Sequence, residues 1–259
     1  MFALTRYLLS ACRKDFIFVS LSVLIGICFA ASLFFGWTLV AEVEQTRIVY
    51  FAGSVRFVAM FGLIVFISFF ISRFFENKEI EMILSFPISR VKVCLAFFTT
   101  FWIVCLVLTL IIGGLMAYFF KYLSIDGYAI WLVSFFCEMV LISSFAVFFS
   151  LILKNTSVCV FFVTGFYLLS RSVGFMLSSL ETKQASIFLP SNEKLSLIST
   201  KLIEALGFFF PRLDLFSNSS WLLYGGYEMG TIAIIICQTI VFLSLLLFCT
   251  FRDFKNKSF

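Results

Sequence analysis

The sequence predicts an all-α integral membrane protein with six transmembrane helices, and its composition and charge pattern support this fold class. Of the 259 residues, 62% are hydrophobic and 13% are charged, whereas soluble domains carry about 25% charged residues. The mean hydropathy is +1.12. We predict one transmembrane domain over residues 1–259, with spans at about 16–41, 55–75, 93–120, 127–153, 156–180 and 229–251.

The lengths of the first two apolar runs determine how each is interpreted. The first apolar run exceeds the roughly 7–15-residue apolar core of a signal peptide, so we expect it to remain as a membrane helix. The second has 16 uncharged residues between Arg56 and Arg73, or about 24 Å of helix. Because the hydrocarbon core is about 30 Å thick, both arginines are expected to snorkel to the interfaces.

The remaining spans follow from their connections. Gly113 and Gly114 in the third span can permit a close helix contact or a bend. The fourth and fifth spans are joined only by Lys154 and Asn155, which predicts adjacent antiparallel helices. The sixth follows one long loop, residues 181–228.

The distribution of basic residues predicts the orientation. With the N-terminus inside, the head (1–15), the region around residues 76–90 (73–92), the turn at Lys154 and the tail (252–259) hold 11 Lys and Arg. The short outside loops hold 3, and the long loop adds 4 over far more residues. By the positive-inside rule, both termini and residues 76–90 are expected in the cytoplasm.

Residues 76–90, ENKEIEMILSFPISR, form a charged amphipathic segment between two apolar runs. Pro87 cannot continue a helix, so the predicted helix ends near Ser85, and Ser89 can cap the next one. A short helix across the cytoplasmic ends of two spans offers a rigid contact to a soluble partner. Its apolar stripe comprises Ile80, Ile83, Leu84, Pro87 and Ile88.

This segment resembles the cytoplasmic coupling segment of type-2 ABC-transporter permeases. Glu81 matches the glutamate of the family's GTLE motif, and Pro87, Ser89 and Arg90 match its Pro-Ile/Val-Ser-Arg ending. Lys78-Glu79 stand where the family usually has Gly-Thr, and Ala96-Phe97 where a Gly-Lys often opens the third span. Without the resemblance, the segment is an ordinary cytoplasmic connector that contains a helix.

The resemblance implies a permease subunit of an exporter in a bacterial cytoplasmic membrane. Two such subunits, identical or related, would form the path through the lipid bilayer. Two separate ATPase subunits would bind ATP and Mg²⁺. This chain would bind no cofactor itself. The residues expected to contact the ATPases are Glu76, Glu79, Glu81, Ile83, Leu84, Pro87, Ser89 and Arg90.

The long loop is predicted to form an outer helical or re-entrant insertion between spans 5 and 6. Residues 192–206 have an amphipathic helical pattern, and the apolar patches at 208–210 and 221–224 are too short to span. The family has a similar outer insertion, which suggests a lid; an anchor in the headgroup layer is the other interpretation. The candidate lid or anchor residues are Phe209, Pro211, Asp214 and Trp221.

Glu138 and Arg171 are charges predicted deep inside spans, where a charge usually marks function or a paired contact. Their depths in adjacent antiparallel helices agree to within about one turn. We therefore predict an ion pair. It either clamps the two helices together, which we favour, or lines a substrate path.

The sequence also excludes several classes of function. It has no G-x-x-x-x-G-K-[ST] phosphate loop and no histidine, so neither ATP hydrolysis by that route nor a Ser-His-Asp triad is available. The eight cysteines include no CxxC pair, and no metal site is predicted. Basic residues at span ends do not indicate nucleic-acid binding. The alternatives to an ABC permease are a non-transporting scaffold that recruits a cytoplasmic partner and, ranked last, an ion-coupled secondary transporter.

Overall fold

The computed structural model describes residues 2–37, 42–79, 82–83, 89–153, 155–181, 201, 207, 210–226 and 228–256. Among these residues the fold is all helical, without strands. The helices are α1 (Phe2–Lys14), α2 (Phe16–Trp37), α3 (Val43–Glu76), α4 (Arg90–Met116), a 3-10 helix (Ala117–Tyr122), α5 (Ile125–Ile152), α6 (Thr156–Glu181), α7 (Ser220–Tyr224) and α8 (Met229–Asn256).

Six of these helices, α2 to α6 and α8, are long and apolar enough to cross a membrane, which confirms the prediction of an all-helical chain with six such helices. Each helix satisfies its own backbone hydrogen bonds, as a hydrocarbon environment requires. The bundle has two ends. The α1 end carries α1 and the last turn of α3, and the insertion end carries residues 210–226.

The core of the bundle is formed by α3, α4 and α5. In the most apolar window of α5, 72% of the residues are buried, against 17% in each of α2 and α8. The two peripheral helices pack on different core helices: α2 packs on α3, and α8 packs on α5. The outer faces of α2 and α8 are therefore available to lipid.

The second span differs from its prediction. Helix α3 has 34 residues, or about 51 Å, and so extends beyond an apolar layer of about 30 Å. The prediction that Arg56 snorkels to an interface was wrong, because Arg56 lies inside α3 and is only 4% exposed. Near the other end of α3, Arg73 forms an ion pair with the buried Asp15, the residue between α1 and α2.

Helix α1 is an element that the sequence analysis treated only as a basic head. It lies against α4, with Leu8 and Cys12 buried. The Tyr7 hydroxyl donates to Glu79 Oε2 at 3.4 Å. Burial raises the pKa of the Cys12 thiol to about 12, so this cysteine stays protonated at neutral pH. Helix α1 is thus held close to the C-terminal end of α3.

Interlocking phenylalanines hold α3 against α4. Phe101 of α4 meets Phe70 edge-on, with 5.7 Å between ring centroids, and Phe66 in the same way at 6.0 Å. Phe74 and Phe97 continue the contact toward the α1 end. Since lipid tails are as apolar as these rings, their close fit rather than burial from water stabilises the contact.

Phe101→Ala is expected to destabilise the protein by about 2 kcal/mol, because it removes a ring that is only 1% exposed and leaves a cavity between α3 and α4, and the cavity is the main cost where lipid replaces water. The measurement is the thermal unfolding midpoint in mild detergent. Phe161→Ala is the matched control, since that ring is 78% exposed on α6. Equal losses for the two variants would refute a specific role for the interlocked rings.

Candidate functional site

The candidate site is a buried charge cluster near the insertion end, centred on Glu138 of α5. Glu138 has no exposed surface, and Arg56 of α3 reaches it with two donors. The distances to Glu138 Oε1 are 3.1 Å from Arg56 Nε and 2.8 Å from Nη2. This geometry is a charge-assisted, two-donor hydrogen bond between two core helices.

The remaining donors of Arg56 bind the backbone of residues 210–226. Arg56 Nη2 donates to the Leu213 carbonyl at 3.1 Å, and Nη1 lies 3.4 Å from the Ser217 carbonyl. The Ser217 hydroxyl donates to Glu138 Oε2 at 3.1 Å. The second oxygen of Glu138 therefore also has a partner, and the insertion is bonded directly to the cluster.

Two α5 side chains hold Ser217 in place. Its backbone N–H donates to Ser134 Oγ at 2.9 Å, and its carbonyl accepts from Trp131 Nε1 at 3.3 Å. Ser217 has a positive φ of 50°, a conformation that costs free energy in a non-glycine residue. The bonds from Arg56, Ser134 and Trp131 compensate for that cost, since each pairs a buried polar group.

Arg171 of α6 also lies near Glu138, but the interaction between them is weaker than the predicted ion pair. Its Nη1 lies 3.7 Å from Glu138 Oε1, within ion-pair range but without a hydrogen bond. Its guanidinium carbon stands 5.5 Å from the centre of the Phe57 ring. The structure therefore brings Glu138 and Arg171 together, while the principal partner of Glu138 is Arg56, which the sequence analysis assigned to a span end.

The sequence contained a signal for Arg56. In α3 the buried residues Ala52, Val55, Ala59 and Leu63 repeat at helical spacing, and Arg56 belongs to the same stripe. A helix that begins at Val43 places that stripe in the core. No comparable signal marked Ser217, because its position depends on the irregular path of residues 210–219.

The described part of the insertion packs against the bundle. Leu213 and Phe216 have no exposed surface, and Trp221 is 5% exposed. The backbone carbonyl of Trp221 lies so close to Gly127 that a Cβ on Gly127 would collide with it. Ser124 N–H donates to the Leu222 carbonyl at 3.0 Å. Residues 210–226 thus close the insertion end over α5.

The predicted lid or anchor residues have different surroundings. Asp214 pairs with Arg212 at 3.2 Å and lies against Gly174 of α6, where a Cβ would collide with its carboxylate. Pro211 is buried, and Trp221 lies in the short helix α7. Phe209 and the predicted helix at 192–206 lie outside the described residues, apart from Lys201, which is exposed.

The described coupling residues divide into exposed and enclosed ones. Glu76, Ser89 and Arg90 are exposed at the ends of α3 and α4. Glu79 is half-buried and accepts the bond from Tyr7, and Ile83 is 6% exposed. Ser89 occupies the N-cap position of α4, but its side chain makes no capping hydrogen bond, contrary to prediction. Glu81, Leu84 and Pro87 lie outside the described residues.

Comparisons with known proteins leave the resemblance at residues 76–90 as a prediction. No family model matches the sequence, and no curated protein is significantly similar to it. No group of three His, Cys, Asp or Glu side chains that could hold a metal ion occurs within the part of the chain that the structure describes.

Proposed function

We propose that this chain is the membrane-spanning permease subunit of an ABC transporter, that it exports its substrate, and that it works as a dimer with two ATPase subunits. The observation that carries the proposal is the charged segment 76–90 between the second and third spans of a six-helix bundle. The ATPases would bind ATP and Mg²⁺. The α1 end would face the cytoplasm, as the positive-inside rule favours.

The core helices offer a route for mechanical coupling. Glu76 and Arg56 lie on the same continuous helix, about 30 Å apart at 1.5 Å per residue. Helix α4 begins at Arg90 and is locked to α3 by the interlocked phenylalanines. A push on residues 76–90 would therefore move α3 and α4 together. At the insertion end, that movement would act on the Arg56 contacts to Leu213 and Ser217.

The charge cluster also bears on the alternative of ion-coupled transport. Such a transporter needs a carboxylate that exchanges protons or ions with water during each cycle. Glu138 is fully buried, and both of its oxygens are engaged by Arg56 and Ser217. A carboxylate that is enclosed and bonded in this way has a structural role and no path to water, which weighs against ion-coupled transport.

The proposal is tested by purifying the full-length tagged chain in mild detergent and identifying the chains that accompany it. We expect a stoichiometric protein with a G-x-x-x-x-G-K-[ST] motif and ATPase activity in the eluted complex. A complex with no nucleotide-binding chain and no ATP hydrolysis would contradict the proposal and favour a scaffold. The control is a six-span membrane protein without an ATPase, carrying the same tag.

A further inference from the structure

The charge cluster contains one positive charge more than it can neutralise. Arg56 and Arg171 both face Glu138, which can balance only one of them. The nearby Arg212 and Asp214 pair with each other at 3.2 Å. An unbalanced charge at membrane depth is expensive, so such a site favours an anionic partner.

Three polar atoms on one face of α6 are buried without a hydrogen bond of good geometry, although Arg171 lies near both Glu138 and the Tyr167 hydroxyl. They are Arg171 Nη1, the Tyr167 hydroxyl and Ser170 Oγ, and the side chains of Tyr167 and Ser170 are fully buried. Their spacing of i, i+3 and i+4 places them side by side. All three groups can donate a hydrogen bond, so together they are complementary to an acceptor-rich anion.

Part of the Arg171 guanidinium side chain reaches the surface of the bundle next to these buried groups. The Arg171 side chain is 29% exposed beside Phe57 of α3, about 15 Å from the insertion-end terminus of α6. Acyl chains cannot solvate a guanidinium at that depth. The surface between α3 and α6 must therefore meet water, a polar ligand or an anionic headgroup.

The surroundings of the exposed part of Arg171 are apolar. Leu168 and Phe175, at i−3 and i+4 from Arg171, are 46% and 60% exposed, and Phe57 is 43% exposed. A molecule that satisfied Arg171 from this side would lay its remaining atoms against these side chains. This arrangement suits an anionic head joined to an apolar tail.

We propose that Arg171, Tyr167 and Ser170 form a binding site for the carboxylate or phosphate head of an anionic amphiphile. The apolar surface of α3 and α6 would take its tail. This inference rests on the proposed function in one respect only: such amphiphiles would be the class of substrate that the permease transports. Binding itself needs this chain alone.

The site is tested with the full-length protein in neutral detergent by following its thermal unfolding midpoint during ligand titration. The probes are decyl phosphate, decanoate and the uncharged decyl glucoside, with inorganic phosphate as the tail-free anion. We expect the two anionic amphiphiles to raise the midpoint saturably and decyl glucoside to leave it unchanged. If inorganic phosphate also raises the midpoint, the head alone provides the affinity. If only the two anionic amphiphiles raise it, the tail is needed as well. Both results support the anion site.

Tyr167→Phe is the decisive variant, because it removes only the hydroxyl and leaves the ring in place. Without ligand it should be at least as stable as the wild type, since an unsatisfied buried group is lost. With ligand, the half-saturating concentration should rise about ten-fold, the loss of one hydrogen bond to a charged group. Arg171→Gln should abolish the response. Arg47→Gln, which removes a paired arginine from α3, should leave it intact.

The absence of any response to decyl phosphate and decanoate would overturn the inference, and two other results would do the same. One is an equal response to decyl glucoside, which would show binding of the tail alone. The other is a wild-type response in both Tyr167→Phe and Arg171→Gln, which would leave water as the occupant of the site. Neither result bears on association with an ATPase, which the purification measures separately.

Discussion

Glu138→Ala is expected to cause the largest loss of folded protein among single substitutions in the charge cluster. Without this carboxylate, Arg56 is left buried with only the carbonyls of Leu213 and Ser217, and Arg171 loses its nearest anion. Removing one partner of a buried ion pair typically costs about 3–5 kcal/mol. The expected result is a large drop in monodisperse protein on size-exclusion chromatography, together with a lower unfolding midpoint.

The arginine variants should be ranked by the geometry of their contacts. Arg56→Ala should cost less than Glu138→Ala, because Arg171 remains 3.7 Å from the carboxylate and keeps it partly neutralised. Arg171→Ala should cost less than about 1 kcal/mol, because Arg56 still binds Glu138 with two donors. The sequence predicted only the pair of Glu138 with Arg171, and the ranking follows from the closer contact that Arg56 makes.

Two further variants make the ranking falsifiable. Glu44→Ala is the control for loss of a carboxylate, since Glu44 forms a partly exposed pair with Arg47 in the first turns of α3. It should cost no more than about 1 kcal/mol. The double variant Arg56→Ala/Glu138→Ala should be no less stable than Glu138→Ala, because the two residues act as a unit. A Glu138→Ala protein as stable as Glu44→Ala would rule out the cluster as a structural centre.

The six spans could be predicted because lipid restricts what a chain can do. A long uncharged run in a bilayer has to form a helix that pairs its own backbone groups, so composition alone locates it. Helix ends are less constrained. Arg56 was interpreted as the end of a span because charged residues usually lie at the membrane interface. Helix α3 instead begins at Val43, which places Arg56 among buried residues. Tertiary partners, absent from the local pattern, determine this burial.

The charge cluster could be predicted in part for a similar reason. Matching depths in two antiparallel helices were enough to bring Arg171 near Glu138, because a short turn fixes their relative position. Depth says nothing about a third helix or about an irregular segment. Ser217 reaches Glu138 only because Trp131, Ser134 and Arg56 bind its backbone. Such contacts depend on side chains far apart in sequence and have no periodic signature.

Glu76→Arg is expected to reduce ATPase association at least ten-fold while leaving the fold intact. Glu76 ends α3 and is exposed, so its carboxylate is available to a basic partner surface. Reversing a charge within a complementary interface slows association and weakens the complex. Glu79→Gln should retain the ATPase, because Glu79 is half-buried and its bond from Tyr7 can be made by an amide oxygen. The measurement is the ATPase recovered per permease after affinity purification.

The matched control is Asp253→Arg, which reverses an exposed acidic residue in the last turns of α8, at the α1 end of the bundle and outside residues 76–90. It should retain the ATPase. Equal losses for Glu76→Arg and Asp253→Arg would indicate a general charge effect, and full retention by Glu76→Arg would remove the end of α3 from the interface. A selective loss would locate the contact at the end of the helix that carries Arg56. The ATPase would then act directly on the helix whose other half binds Glu138 and Ser217, and coupling would require no additional moving element.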